Sequence, residues 1–87
     1  MYDLEVELLK FAKKYQILYN FKFNHLPPAL KDLSMMYASL AVGVVKIYDK
    51  ANTGNISELI VCLRKILEAK DAGVRSIAIN INELKGE

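Results

Sequence analysis

The sequence predicts an all-α fold: a short N-terminal helix followed by a long antiparallel α-hairpin, assembled as a homo-oligomer. Three observations predict it. Apolar residues recur at spacings of three and four over most of the chain. A single cluster of turn-forming residues, NTGN at 52–55, interrupts the second half. Finally, 53% of the 87 residues are hydrophobic and mean hydropathy is +0.14. A chain this short buries only about 60% of its unfolded surface, so that much apolar side chain exceeds what one small core absorbs.

The first helix is expected over about residues 3–18. Leu4, Leu8, Phe11, Ala12 and Tyr15 form one stripe, with acids in the first turns and Lys10, Lys13 and Lys14 later, as the helix dipole favours. Phe21 and Phe23 then alternate with Lys22 and Asn24, a period of two, and Pro27 disfavours helix at Leu26. Residues 20–27 therefore read as an extended connector. Pro28 suits a helix start. From there Leu30, Leu33, Tyr37, Leu40, Val44, Ile47 and Ala51 mark a heptad-like seam through residues 28–51.

In the NTGN turn, Gly54 is the residue able to take a positive φ, and Asn55 with Glu58 resembles a capping box opening the next helix, expected over 56–81. Its seam is Ile56, Leu59, Leu63, Ile66, Lys70, Gly73 or Val74, and Ile77. A link of about four residues between two long helices makes them antiparallel neighbours. Met35, Ala38, Val42 and Val45 lie off the first seam, and Ile60, Val61, Leu67 and Ala69 off the second. Helices apolar over so much of their girth are buried on several sides. Either the short first helix covers the extra face, or further copies of the chain do. Gly43 and Gly73, inside helices, mark either a close helix crossing or the approach of a flat ligand. The whole span 1–87 reads as one domain, with no internal repeat.

Composition excludes several classes. Twelve basic and ten acidic residues leave a net charge of +2, too balanced for a protein held on a DNA duplex by many phosphates. The longest apolar stretch, residues 40–45, is far short of a membrane span, and Asp3, Glu5 and Glu7 occupy the place of a signal peptide's early positive charge. The lone Cys62 favours a reducing, cytoplasmic compartment, and its apolar surroundings predict a buried, inert thiol. In that setting Asn55-Ile56-Ser57 reads as a helix cap rather than a glycosylation acceptor. With one histidine, one cysteine, no paired-ligand spacing, no nucleophile elbow and no Gly-rich phosphate loop, neither metal, cofactor nor catalysis is expected.

The polar residues that remain fall in two places. Arg64, Lys65, Glu68, Lys70, Asp71 and Arg75 crowd three turns of the last helix. Arg64 with Glu68, and Asp71 with Arg75, have the spacing of ordinary surface pairs; alternatively Arg75 supplies a guanidinium plane for a base or a fork for a phosphate. The connector segment Phe21, Lys22, Phe23, Asn24 and His25 mixes rings and cations, the composition with which nucleotide pockets stack bases and hold phosphates. Together these residues, with Lys70, Asp71 and Arg75, are the candidate ligand-binding set. One of Phe21 and Phe23 is expected in the core and the other as a lip over a neighbouring protomer's last helix.

The segment Lys65-Ile66-Leu67-Glu68-Ala69 with Arg75 six residues after the alanine, the ending Ser76-Ile77-Ala78, and Phe23-Asn24-His25 ahead of the hairpin resemble a phage protein family. It comprises the anti-CBASS and anti-Thoeris sponges, which share an α-hairpin domain; the likeness spans about residues 21–79. It implies an anti-defence protein in the cytoplasm of an infected bacterium. Such a protein binds cyclic di- or trinucleotides between protomers of a homo-oligomer, a trimer of dimers, without hydrolysing them. The chain departs from the family pattern in lacking a Gly-Tyr-Arg-type segment and any tryptophan, and only Asn24 or Lys31 stands in for the family's Asn-x-x-Lys. The alternative function is a small helical interaction module that docks its apolar face on a host or phage protein.

Overall fold

The computed structural model describes residues 3–86, with side chains described over residues 3–78. It is all-helical: α1 (Leu4–Ala12), a 3-10 helix (Gln16–Phe21), α2 (Pro28–Ala51) and α3 (Ile56–Gly86), with no strand among the described residues. The unit measures 53 × 29 × 16 Å.

The N-terminal helix is capped by Asp3, whose Oδ1 accepts from the amides of Glu5 and Val6 at 3.0 and 3.3 Å. It stops at Ala12, short of the 3–18 expected. No Gly or Pro ends it, so tertiary packing does. Leaving the helix at Tyr15 (φ −121°, ψ 89°) sends that ring into the core. The 3-10 helix that follows turns every three residues. Tyr15, Leu18 and Phe21, spaced by three, therefore fall on one face, and all are buried. Lys22 is extended, which returns Phe23 to the same side. The connector is thus the end of the 3-10 helix, extended Lys22 and a turn closed by the Leu26 amide on the Phe23 carbonyl at 3.1 Å, rather than extended throughout.

α2 starts at Pro28, and its bounds match those expected. The buried positions are Ser34, Ala38, Ala41, Val42 and Val45. These meet Leu8, Ala12, Leu18 and Phe21 from the N-terminal elements and Leu59 and Leu63 from α3 in one core. The seam residues Leu40 and Ile47 point the other way, 52% and 72% exposed. The seam is therefore rotated from the heptad reading: Ala38, Val42 and Val45, set off it by periodicity, lie inside. The reason is that α1 and the 3-10 helix claim one flank of α2 while α3 claims another. Three elements converge best on small side chains.

The left-handed residue after α2 is Asn52 (φ 56°), not Gly54, whose φ is not positive. Asn52 donates its amide to the Tyr48 carbonyl at 3.3 Å, the αL cap that asparagine tolerates. Gly54 is needed for space: a Cβ there would lie 2.6 Å from Tyr48 Cδ2 and closer still to Cε2. Asn55 caps α3, its Oδ1 accepting from Ser57 and Glu58 amides at 2.9 and 3.2 Å. α2 and α3 pack on each other, with the Gly73 position against Leu33 and Tyr37. A Cβ at Gly73 would sit 3.1 Å from Leu33 Cδ2, whereas one at Gly43 would meet nothing within 4 Å. Of these two, close approach holds at Gly73 only.

Candidate functional site

Within one chain the predicted ligand-binding residues do not line one pocket. Phe21 and Phe23 are 0% and 4% exposed, so both rings plug the core, and neither forms the outward lip expected of one of them. Packing explains this: Phe21 completes the three-residue face of the 3-10 helix and Phe23 continues it. Lys22 is exposed, its Nζ 5.2 Å above the Tyr19 ring. Asn24 helps line a cavity of about 380 Å³ with Phe23, Lys31 and the first turn of α1, while His25 is exposed.

On α3, Lys70 has a structural task. Its Nζ donates to the Asn20 carbonyl at 2.8 Å and lies 3.5 Å from Asp71 Oδ1, with the side chain only 12% exposed. It satisfies an end carbonyl of the 3-10 helix and pins that turn to α3. Arg75 is exposed and, among the described residues, makes no ion pair. The two surface pairs suggested by spacing, Arg64 with Glu68 and Asp71 with Arg75, do not form; the pair present is Lys70 with Asp71. Cys62, expected buried, is exposed, because the buried side of α3 here runs through Leu59 and Leu63.

Sequence reasoning missed a second cluster, where Lys14, Tyr15, Tyr48, Asp49, Asn52, Gly54 and Ile56 surround a cleft of about 560 Å³. Tyr15 donates its hydroxyl to Asp49 Oδ1 at 2.5 Å, Lys14 Nζ stands 3.5 Å from the same oxygen, and the Tyr48 ring meets Tyr15 edge-on at 6.3 Å. Burial pushes the Tyr15 phenol above its ordinary value, and the hydrogen bond to Asp49 adds to the shift. The neighbouring Tyr15 oxygen, then the Asp49 charge, raise the Lys14 ammonium likewise. The cluster ties the end of α1 to the end of α2. Its residues lie 34 apart in sequence, so no local spacing could have announced it.

The third feature is apolar. Met36, Leu40 and Ile47 are 71%, 52% and 72% exposed. With Gly43 they follow spacings of four, three and four, a single stripe along α2 on the side opposite Ala38, Val42 and Val45. Among the described residues no helix is long and apolar enough to cross a membrane, so lipid-spanning burial does not account for the stripe. No group of three or more metal-ligating side chains occurs among the described residues.

No family model, no curated protein and no solved structure matches this chain.

Proposed function

We propose that this protein is a non-catalytic helical interaction module. In this reading α2 and α3, linked by residues 52–55, form an antiparallel α-hairpin, and the outer face of α2 docks on a protein surface. The observation that carries the reading is the stripe of Met36, Leu40 and Ile47, exposed on a helix whose opposite face already serves the core. Covering a side chain of this kind is worth about 1.5–3 kcal/mol, and three in a row on a rigid helix are the anchors of a helix-face contact. A photo-crosslinking amino acid in place of Leu40, incorporated in producing cells, tests it. An adduct from position 40 and none from the α3 position 65 is expected; no adduct from position 40 contradicts the reading.

A second reading is sequestration of a cyclic di- or trinucleotide between protomers, as the sponge resemblance implies. It is favoured by one observation: Arg75 is exposed without an ion-pair partner among the described residues, and Lys22, Asn24 and His25 are exposed as well. With both phenylalanines in the core, any base would have to stack elsewhere. A ligand at one hundred times its dissociation constant stabilises a fold by about 2.7 kcal/mol. Thermal melting against a panel of cyclic nucleotides should therefore show a clear rise for the true ligand, and one that Arg75→Ala abolishes. No shift with any of them removes this reading.

A further inference from the structure

We infer that the occupant of the α2 stripe is the α2 stripe of a second copy, packed antiparallel about a two-fold axis that passes between Leu40 and Gly43. The inference rests on the docking reading and names the partner. Its ground is that the stripe is complementary to itself when reversed.

An isologous interface brings residue i against j and j against i. Reversing α2 about the point midway between positions 40 and 43 exchanges Leu40 with Gly43 and Met36 with Ile47. The first exchange sets a large side chain over a hollow. A Cβ at Gly43 would meet nothing within 4 Å, so the space above that glycine is open to a neighbour's Leu40. The second exchange sets two long, flexible or branched apolar side chains together at either side of the axis.

Charge follows the same symmetry. Asp32 lies four residues before Met36 and Lys50 three residues after Ile47. They are eighteen residues apart, which at 3.6 residues per turn is five whole turns, so both project from the same flank of the stripe. A two-fold axis perpendicular to the helices keeps that flank facing itself. Asp32 of one copy therefore comes opposite Lys50 of the other, to within about one residue's rise of 1.5 Å, and the pair occurs twice. Both residues are exposed, and neither makes an ion pair within the chain among the described residues. A partner of unrelated sequence would not be expected to need an acid and a base at these mirrored distances; a second copy uses both.

Sedimentation equilibrium on the full chain tests the pairing. The wild type should run at twice the 9.8 kDa chain mass. Ile47→Glu should run as a monomer with unchanged helix content by circular dichroism. Asp32→Lys or Lys50→Asp alone should each raise the dimer dissociation constant about tenfold or more, since each opposes like charges at two places. The double exchange, Asp32→Lys with Lys50→Asp, should restore wild-type affinity. A wild type that stays monomeric at the highest soluble concentration overturns the inference, as does a dimer that survives Ile47→Glu or a charge exchange without rescue. In any of these cases an adduct from position 40 to a different protein would leave the docking reading standing, whereas no adduct at all would end both.

Discussion

α2 carries two apolar faces that the structure treats in opposite ways. The inner one, Ser34, Ala38, Ala41, Val42 and Val45, is built of small and β-branched residues and is buried. The outer one, Met36, Leu40 and Ile47, is built of larger side chains and is exposed. Within one chain the larger residues would be the natural core. That they lie outside shows that the inner face is set by crowding: the N-terminal elements and α3 both approach α2 there, and only small side chains let two neighbours come close. The outer face has no such neighbour among the described residues. Size, rather than hydrophobicity, separates the face that packs in the core from the face left exposed.

The sharpest way to break that comparison is to truncate each side. Leu63→Ala or Phe21→Ala, at positions fully buried in the core, should cost about 2–5 kcal/mol in denaturant unfolding. Ile47→Ala, on a side chain 72% exposed, should change the stability of the isolated chain by no more than about 0.5 kcal/mol. A large loss at Ile47 in dilute protein would place the outer stripe in the fold itself.

The two helical glycines sharpen the same contrast at a smaller scale. In protein dilute enough to be monomeric, the methyl of Gly43→Ala meets no atom of its own chain within 4 Å and should raise the melting temperature through helix propensity, by the equivalent of about 1 kcal/mol. At higher concentration it fills the hollow proposed for the second copy's Leu40, and the gain should shrink. Gly73→Ala, 3.1 Å from Leu33 Cδ2, should recover less or none of that gain, because Leu33 must give way. Equal gains at both positions would deny the close packing of α3 on α2. Ser34, buried with its Oγ unpartnered among the described residues, should accept Ser34→Ala with no loss, or with a gain of about 1 kcal/mol.

The smallest effects depend on pH. Because Tyr15 and Lys14 are raised above 10.0 and 10.5, the stability they contribute is present below those values and lost as pH rises through their folded-state values. Tyr15→Phe should lower stability by roughly 1 kcal/mol at neutral pH and flatten the alkaline limb of a melting profile. Glu7 behaves oppositely. The hydrogen bond from Lys46 holds it below 4.5, so its contribution is present above that value and lost as pH falls through its folded-state value.

Much of the helical layout was legible. Pro28, the NTGN turn and Asn55 mark the ends of α2 and the start of α3 by local chemistry that tertiary packing has no reason to override. The end of α1 was not legible, because nothing local stops it; the pull of Tyr15 toward Asp49, 34 residues away, does. The spacing of Tyr15, Leu18 and Phe21 by three is a 3-10 signal that can be read in the sequence, and it turns Phe21 inward; Phe23 follows only because Lys22 is extended, which no spacing announces. The buried face of α2 is not legible from spacing alone, because two apolar registers share one helix and periodicity cannot rank them. The run of Ser34, Ala38 and Ala41 was the clue. The connector residues of the candidate set are the least legible: their spacing leaves one of Phe21 and Phe23 free to face outward, whereas both rings are buried and only Lys22, Asn24 and His25 stay outside.

The central claim is that one face of α2 folds the chain and the other joins two chains. The melting temperature as a function of protein concentration tests this most directly, since a dimer is stabilised by mass action and a monomer is not. The wild type should melt higher as concentration rises, while Ile47→Glu should melt at a constant temperature equal to the wild type's dilute limit. A wild-type melting temperature independent of concentration, or an Ile47→Glu value far below that limit, would contradict the claim.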